Sequence, residues 1–156
     1  MSVLENFGVE TGQGKYHEEI IYSVALLYNH WNNRMSSYLK HFHLTPAQLN
    51  VLLVIQHQGK GSGISQVEIG KKLIATASNL TRLIDKLEDE GLAVRRAESD
   101  DRRVKKVHIT DKGSQLLDEI WPRYNQELIY CLQVLPVEDQ KTVAGILVKW
   151  LGIIIP

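Results

Sequence analysis

The chain has 156 residues, 44% of them apolar and 23% charged, the size and make-up of one compact domain that buries a real core and leaves little room for a second. Its formal net charge is zero and it holds a single cysteine, which excludes an intrachain disulfide framework and, taken as a sum, offers phosphate no general attraction. No basic start followed by an apolar run opens MSVLENFGVETGQGKYHEE, and the apolar stretch Val143 to Ile155 is broken by Lys149 and short of a bilayer, so a cytoplasmic protein without signal peptide or membrane span is expected.

In chain order, the first fifteen or so residues read as a loose arm. From His17 to Phe42 the residues Ile20, Val24, Leu27, Tyr28, Trp31, Met35, Tyr38, Leu39 and Phe42 recur at three- and four-residue spacing, the stripe of a long amphipathic helix. Thr45-Pro46-Ala47-Gln48 supplies a capping oxygen, a proline at the first helical position and a Gln that reaches back, so a second helix starts there and runs to about His57. The glycines between Gly59 and Gly63 break it, and Ile64 has room only for a very short strand. Ser65-Gln66-Val67-Glu68 repeats the capping logic and opens a short helix through Leu73. Thr76 then caps a helix from Ala77 to Glu90 with Leu80, Leu83, Ile84 and Leu87 on one face, and Gly91 stops it. Two helices of about two and four turns joined by Ile74-Ala75-Thr76 make a helix-turn-helix.

Leu92 to Arg96, a polar tip Glu98-Ser99-Asp100-Asp101, and Val104 to Thr110 with Val107 and Ile109 alternating against Lys106 and His108 predict a β-hairpin. Thr110 caps a long helix bearing Leu116, Leu117, Ile120, Tyr124, Leu128 and Leu132, in which Pro122 predicts a kink or local break. Pro136 begins the last helix, with an apolar face of Val143, Ile146, Leu147, Trp150, Leu151 and Ile154. The expected fold is mainly α, in the order α-α-β-α-α-β-β-α-α, a winged helix-turn-helix set between long N- and C-terminal helices.

The charge, zero in sum, is unevenly placed. Lys60 to Lys112 carries 12 Lys/Arg against 9 Asp/Glu, and the flanks together carry 6 against 9. On the helix from Ala77 to Glu90, the side away from the leucine stripe presents Ala77, Ser78, Asn79, Thr81, Arg82 and Lys86. Small hydrogen-bonding groups come first and long cations one turn later, which suits close approach to base edges in a major groove. The acidic run Glu88-Asp89-Glu90 is expected to sit away from DNA. At the hairpin tip, Asp101-Arg102-Arg103 places two guanidinium groups on a protruding loop, where an arginine can enter a narrow minor groove and Asp101 can hold it by a charge-assisted fork. Either element alone also describes an ordinary solvated surface; both in immediate succession favour DNA.

The stretch Leu44 to Gly113 resembles the multiple antibiotic resistance regulator (MarR) family of winged-helix proteins. The resemblance is carried by Leu44-Thr45-Pro46-Ala47-Gln48, by the run Asn79 to Glu88 followed by Gly91-Leu92, and by Asp101-Arg102-Arg103 leading to Val107-His108-Ile109-Thr110-Asp111-Lys112-Gly113. It implies a single domain over residues 1–156, with a DNA-binding lobe at about 45–112 and dimerisation helices at about 16–43 and 112–156. It further implies a homodimer reading pseudo-palindromic double-stranded DNA, with Arg103 in the minor groove, Asp101 orienting it, and Ser78, Asn79, Thr81 and Arg82 as recognition-helix contacts. Lys86 suits a purine or phosphate contact, and Arg102, Lys105 and Lys106 are expected at phosphates. The function implied is a transcriptional repressor released by a small-molecule effector that changes the spacing of the two recognition helices. The alternatives are a constitutive or architectural DNA-binding protein and a protein-interaction adaptor without an effector.

Other features carry less. The thiol of Cys131 falls on the face or flank of the fifth helix and reads as a buried structural cysteine. His30, His41 and His43 form no metal-ligand pair, so no metal or cofactor is expected. Tyr28, Trp31, Tyr38, Arg123 and Tyr124 are candidates for an effector pocket, since many relatives bind aromatic carboxylates or phenols. No enzyme is expected, because Ser65 and Ser78 are accounted for as cap and DNA contact and no glycine-rich phosphate loop is present. The apolar end Trp150 to Ile155 is assigned to subunit packing, with a membrane contact as the lesser alternative.

Overall fold

The computed structural model describes residues 2–59, 61–73, 79–97 and 105–155. The elements are α1 (Tyr16–Leu39), α2 (Pro46–Gly59), β1 (Ile64–Ser65), α3 (Gln66–Lys72), α4 (Leu80–Asp89), β2 (Ala93–Ala97), β3 (Lys105–Ile109), α5 (Asp111–Leu132) and α6 (Val137–Ile154). This is the predicted order of a mainly α winged helix-turn-helix. The chain divides into two compact units, residues 1–114 and 115–156, with the boundary inside α5.

In the first unit α2 is the central pillar. It buries Gln48, Leu49, Val51, Leu52, Val54 and Ile55, more than one helix face, and packs against α1, α3, α4, β1 and β3. Met35 and Leu39 of α1, Ile69 of α3, Ile84 and Leu87 of α4 and Val107 of β3 are all buried; each contributes about 1.5–3 kcal/mol relative to exposure. Gln48 is buried because it caps: the Gln48 N–H donates to Thr45 Oγ1 at 3.2 Å and the Thr45 N–H donates to Gln48 Oε1 at 2.9 Å. Strands β1, β3 and β2 form an antiparallel sheet in that order, with Ile64 opposite Val107 and Arg95 opposite Val107 on the other edge.

Helix α3 has the second capping box. The Glu68 N–H donates to Ser65 Oγ at 3.2 Å, while the Ser65 hydroxyl and N–H donate to the Glu68 carboxylate at 2.7 and 3.1 Å. The hydroxyl bond first, then the backbone bond, hold the Glu68 carboxyl below the ordinary glutamate range.

The end of α4, the base of the hairpin and the start of α5 meet at one point. Gly91, at φ 70°, reverses the chain as its N–H and that of Leu92 donate to the Glu88 and Leu87 carbonyls, both at 2.8 Å. Thr110 then returns. Its hydroxyl donates to the Gly91 carbonyl at 2.7 Å and accepts from the Gly113 N–H at 3.0 Å, and its own N–H donates to the Leu92 carbonyl at 3.1 Å. Lys112 Nζ adds a bond to the Glu90 carbonyl at 2.6 Å. A Cβ on Gly113 would lie 2.2 Å from the Leu92 carbonyl oxygen and 2.8 Å from Ile109 Cγ1, so no other residue fits without moving backbone.

Four expectations are corrected. The arm is not loose: Leu4–Phe7 form a 3-10 turn, Val9 is 3% exposed, and the Gly12 N–H donates to Glu19 of α1 at 3.1 Å. The fourth helix as described starts at Leu80, with Asn79, which was expected inside it, at φ −129° and ψ 34° in the N-cap position; the predicted start at Ala77 and the Thr76 cap lie outside the described residues. Helix α5 runs through Pro122 without a break. The carbonyl that proline deprives of a partner belongs to Asp118, an exposed residue, where water can take over. Cys131 is half-exposed in the single chain and not buried.

In the second unit the end of α5 and α6 are joined by a turn in which Gln140 Nε2 donates to the Leu132 and Leu135 carbonyls at 3.2 and 2.9 Å. No described residue of α6 is buried; Val143, Ile146, Leu147, Leu151 and Ile154 are exposed.

Two measurements check this account. Gly113→Ala is expected to cost roughly 2–4 kcal/mol in urea unfolding, because the clash is with backbone; a loss below the roughly 0.5 kcal/mol of an ordinary surface change would refute the close approach. Ser65→Ala removes the largest cause of the lowered Glu68 pKa, so the carboxyl titration followed by NMR should move upward. Since the depressed folded value contributes stability that is present above the unfolded pKa and lost as pH falls through the folded one, the alanine variant should lose less stability on acidification than the parent.

Candidate nucleic-acid interface

Helix α4 is built to seal one side and present the other. Leu83, Ile84 and Leu87 are buried against the core, and Asn79, Thr81, Arg82 and Lys86 are exposed. Asn79, Arg82 and Lys86 follow one another at three- and four-residue steps and therefore share a stripe, with Thr81, Asp85 and Glu88 on the adjacent one. The structure thus brings together four of the residues predicted to meet DNA. Ser78 lies outside the described residues.

Behind α4, Gln66 at the first position of α3 donates from Nε2 to Thr81 Oγ1 at 2.7 Å. The bond crosses the helix-turn-helix and fixes the Thr81 rotamer. As an acceptor in this bond, the Thr81 hydroxyl keeps its own proton for another partner.

The wing strand is tied to the same helix. Arg95 of β2 forms ion pairs with Asp85, at 2.7 Å, and with Glu88, and its N–H donates to the Glu88 carboxylate at 2.6 Å. Its Nη2 also stands 3.5 Å from the Thr81 carbonyl. One guanidinium therefore gathers both carboxylates of α4 that point toward the strand. The sequence reading missed this clamp, placing Arg95 in the positive total and Glu88 in an acidic run at the far end. The available signal was the pair Asp85 and Glu88 one turn apart, followed after the Gly91 reversal by an arginine.

Of the predicted wing residues, Lys105 is exposed at the outer end of β3, opposite Ala97, and Lys106 is half-buried beside it, opposite Arg96. Asp101, Arg102 and Arg103 lie outside the described residues. Exposed cations that the sequence reading did not single out are Lys71 and Lys72 at the end of α3 and Arg96 on β2.

The residues predicted to line an effector pocket fall in separate units. Tyr28, Trp31 and Tyr38 stand on α1; Tyr28 is exposed and Tyr38 packs edge-on against Phe42, with ring centres 5.3 Å apart. Arg123 and Tyr124 stand on α5, Arg123 3.8 Å from Glu127 and Tyr124 stacked on Trp121 at 5.4 Å. Among the described residues no group of three or more His, Cys, Asp or Glu side chains is placed to hold a metal ion, and no helix is long and apolar enough to cross a membrane.

Comparison with known proteins agrees with this geometry. Residues 43–104 match the family model described as MarR family. The HTH-type transcriptional regulator MhqR of Bacillus subtilis (strain 168) is 32% identical over 112 residues, covering 72% of this chain and 75% of that protein. Among solved structures, a putative MarR-like transcription regulator from Bacillus cereus ATCC 10987 superposes with a TM-score of 0.78 at 18% identity, over 88% of this chain and 96% of that one. The S. aureus MepR-DNA complex superposes with a TM-score of 0.76 at 21% identity, over 86% and 97%. With the family model seated on the helix-turn-helix and a relative aligned over most of both chains, the protein belongs to the MarR family of winged helix-turn-helix transcription regulators.

Proposed function

We propose that this regulator is a sequence-specific repressor that binds pseudo-palindromic double-stranded DNA as a homodimer in the cytoplasm and leaves it on binding a small-molecule effector. The observation that carries the DNA reading is α4 itself. Its apolar side is closed by the core, its polar side is open, and both neighbours, α3 through Gln66 and β2 through Arg95, hold it in place. A helix so held offers Asn79 from its N-cap and Thr81 and Arg82 from its first turn to base edges, and Lys86 to a phosphate. The fold shared with a protein solved on DNA supports the same reading. In this reading Arg103, with Asp101 beside it, enters the minor groove, and Arg102 and Lys105 lie at phosphates.

The dimer reading is supported by apolar residues with no cover in the single chain: Ile20, Val24 and Leu27 of α1, and Ile146, Leu147 and Leu151 of α6 are exposed. Stripes of that size are closed in water by a partner. Two copies would set two α4 helices about one turn of DNA apart, roughly 34–36 Å. An effector acts on such a dimer only by favouring one spacing of the recognition helices over another.

The test starts from sites selected out of a random duplex library. Wild type should prefer selected sites to random duplex, and its affinity should fall steeply with salt. Arg82→Ala and Arg103→Ala should each weaken binding by roughly 5- to 150-fold, the range for one lost base or groove contact. Weak binding by all three proteins, with no site preference, would instead support the adaptor reading. For the assembly, sedimentation should give twice the chain mass, and Ile146→Asp should lower it toward one chain while weakening DNA binding; a folded Ile146→Asp variant that stays dimeric and binds normally would remove α6 from the interface.

A further inference from the structure

The Arg95 clamp has a side turned toward the DNA-facing surface. The Arg95 side chain is 20% exposed, whereas Asp85, which it pairs, is 50% exposed. Asp85 follows Thr81 by one turn and Arg82 by three residues, so its carboxylate stands within the open polar face of α4 among the groups proposed to meet DNA. Glu88, one turn further on, is 28% exposed and is held by the same guanidinium. Two carboxylates there would oppose phosphate by like-charge repulsion, at a surface from which bound DNA displaces screening water. The planar guanidinium serves both at once, which a single ammonium does less well.

We infer that Arg95 is a positioning residue of the DNA interface, holding Asp85 and Glu88 in an internal ion pair so that the recognition face reads as polar and cationic to approaching phosphate. The inference rests on the DNA-binding reading above. Arg95 contributes affinity through what it hides, not through a contact of its own with the nucleic acid.

The two roles separate in a double-mutant cycle on the selected DNA site, using full-length wild type, Arg95→Met, Asp85→Asn and the double variant, with the thermal midpoint of each recorded. Arg95→Met should weaken binding about tenfold, Asp85→Asn alone should change it less than about threefold, and Asp85→Asn placed on Arg95→Met should recover most of the loss. The deficit of Arg95→Met should shrink as salt rises, because an exposed carboxylate is screened. A purely structural clamp gives a different pattern: the double variant stays as weak as Arg95→Met and its thermal midpoint falls with its affinity. Additive effects at equal thermal midpoints, the signature of an arginine that itself touches phosphate, also overturn the inference. Arg95→Lys keeps the charge but holds the two carboxylates less well, so its affinity should fall between wild type and Arg95→Met; a loss as large as that of Arg95→Met overturns the inference as well. Should Arg95→Met not fold, the same cycle run from Arg95→Lys must show coupling of the same sign. Wild type that shows no preference for any selected site overturns the DNA reading and this inference with it, whereas site-specific wild type with an additive cycle overturns this inference alone.

Discussion

Between Gly91 and Gly113 the chain leaves the end of α4, travels out along β2, returns along β3 and enters α5 through the space it started from. That passage is possible only because the Leu92 carbonyl meets a glycine without a side chain, 2.2 Å from where a Cβ would be, and because the Thr110 hydroxyl serves two backbone groups at once. Everything the molecule presents to the outside on this flank depends on that crossing. It sets where the hairpin leaves the body, and therefore where Arg95 meets α4. Helix α4 in turn is located by Leu83, Ile84 and Leu87 in the core formed around α2.

On this frame the helix-turn-helix is fastened by two polar links of different kinds. Gln66 to Thr81 is a neutral bond across the turn, and Arg95 to Asp85 and Glu88 is a charged one across the strand. A neutral bond between exposed groups contributes modestly, about 0.5–1.5 kcal/mol, and its value lies in fixing a rotamer. The charged link is partly withdrawn from water, so loss of one partner leaves the others uncompensated. The stripe of Asn79, Arg82 and Lys86 thus stands beside a fastened stripe of Thr81, Asp85 and Glu88, in which the Thr81 hydroxyl keeps a proton for a further partner.

Much of this was legible in the sequence, and the legible part is local. Thr45 with Gln48 and Ser65 with Glu68 are reciprocal caps within four residues, so their chemistry needs no tertiary information. The leucine stripe of α4, the Gly91 stop and the alternation around Val107 are periodic signals of the same sort. What escaped the reading depends on partners distant in the chain or on solvent. The Arg95 clamp joins residues separated by a chain reversal, and Val9 is buried although nothing in its neighbourhood is periodic. Pro122 breaks nothing because the freed carbonyl belongs to an exposed residue. The apolar run of α6 was visible as apolar, but one chain does not supply what covers it.

The contrast between Gly113 and the open stripe of α4 has a consequence for how such a protein changes over generations. At Gly113 the obstacle is a carbonyl oxygen of the main chain, which no compensating side-chain replacement can remove, so the position is closed to drift whatever sequence of bases the protein reads. Arg82 and Lys86 are exposed, and among the described residues neither makes a side-chain hydrogen bond or ion pair. They can be exchanged without touching the core, the caps or the hairpin base. On the proposed reading, in which Arg82 meets base edges, a lineage built on this fold can explore new recognition preferences through a surface codon at little cost in stability, and gene duplicates can part ways in target long before they part ways in architecture.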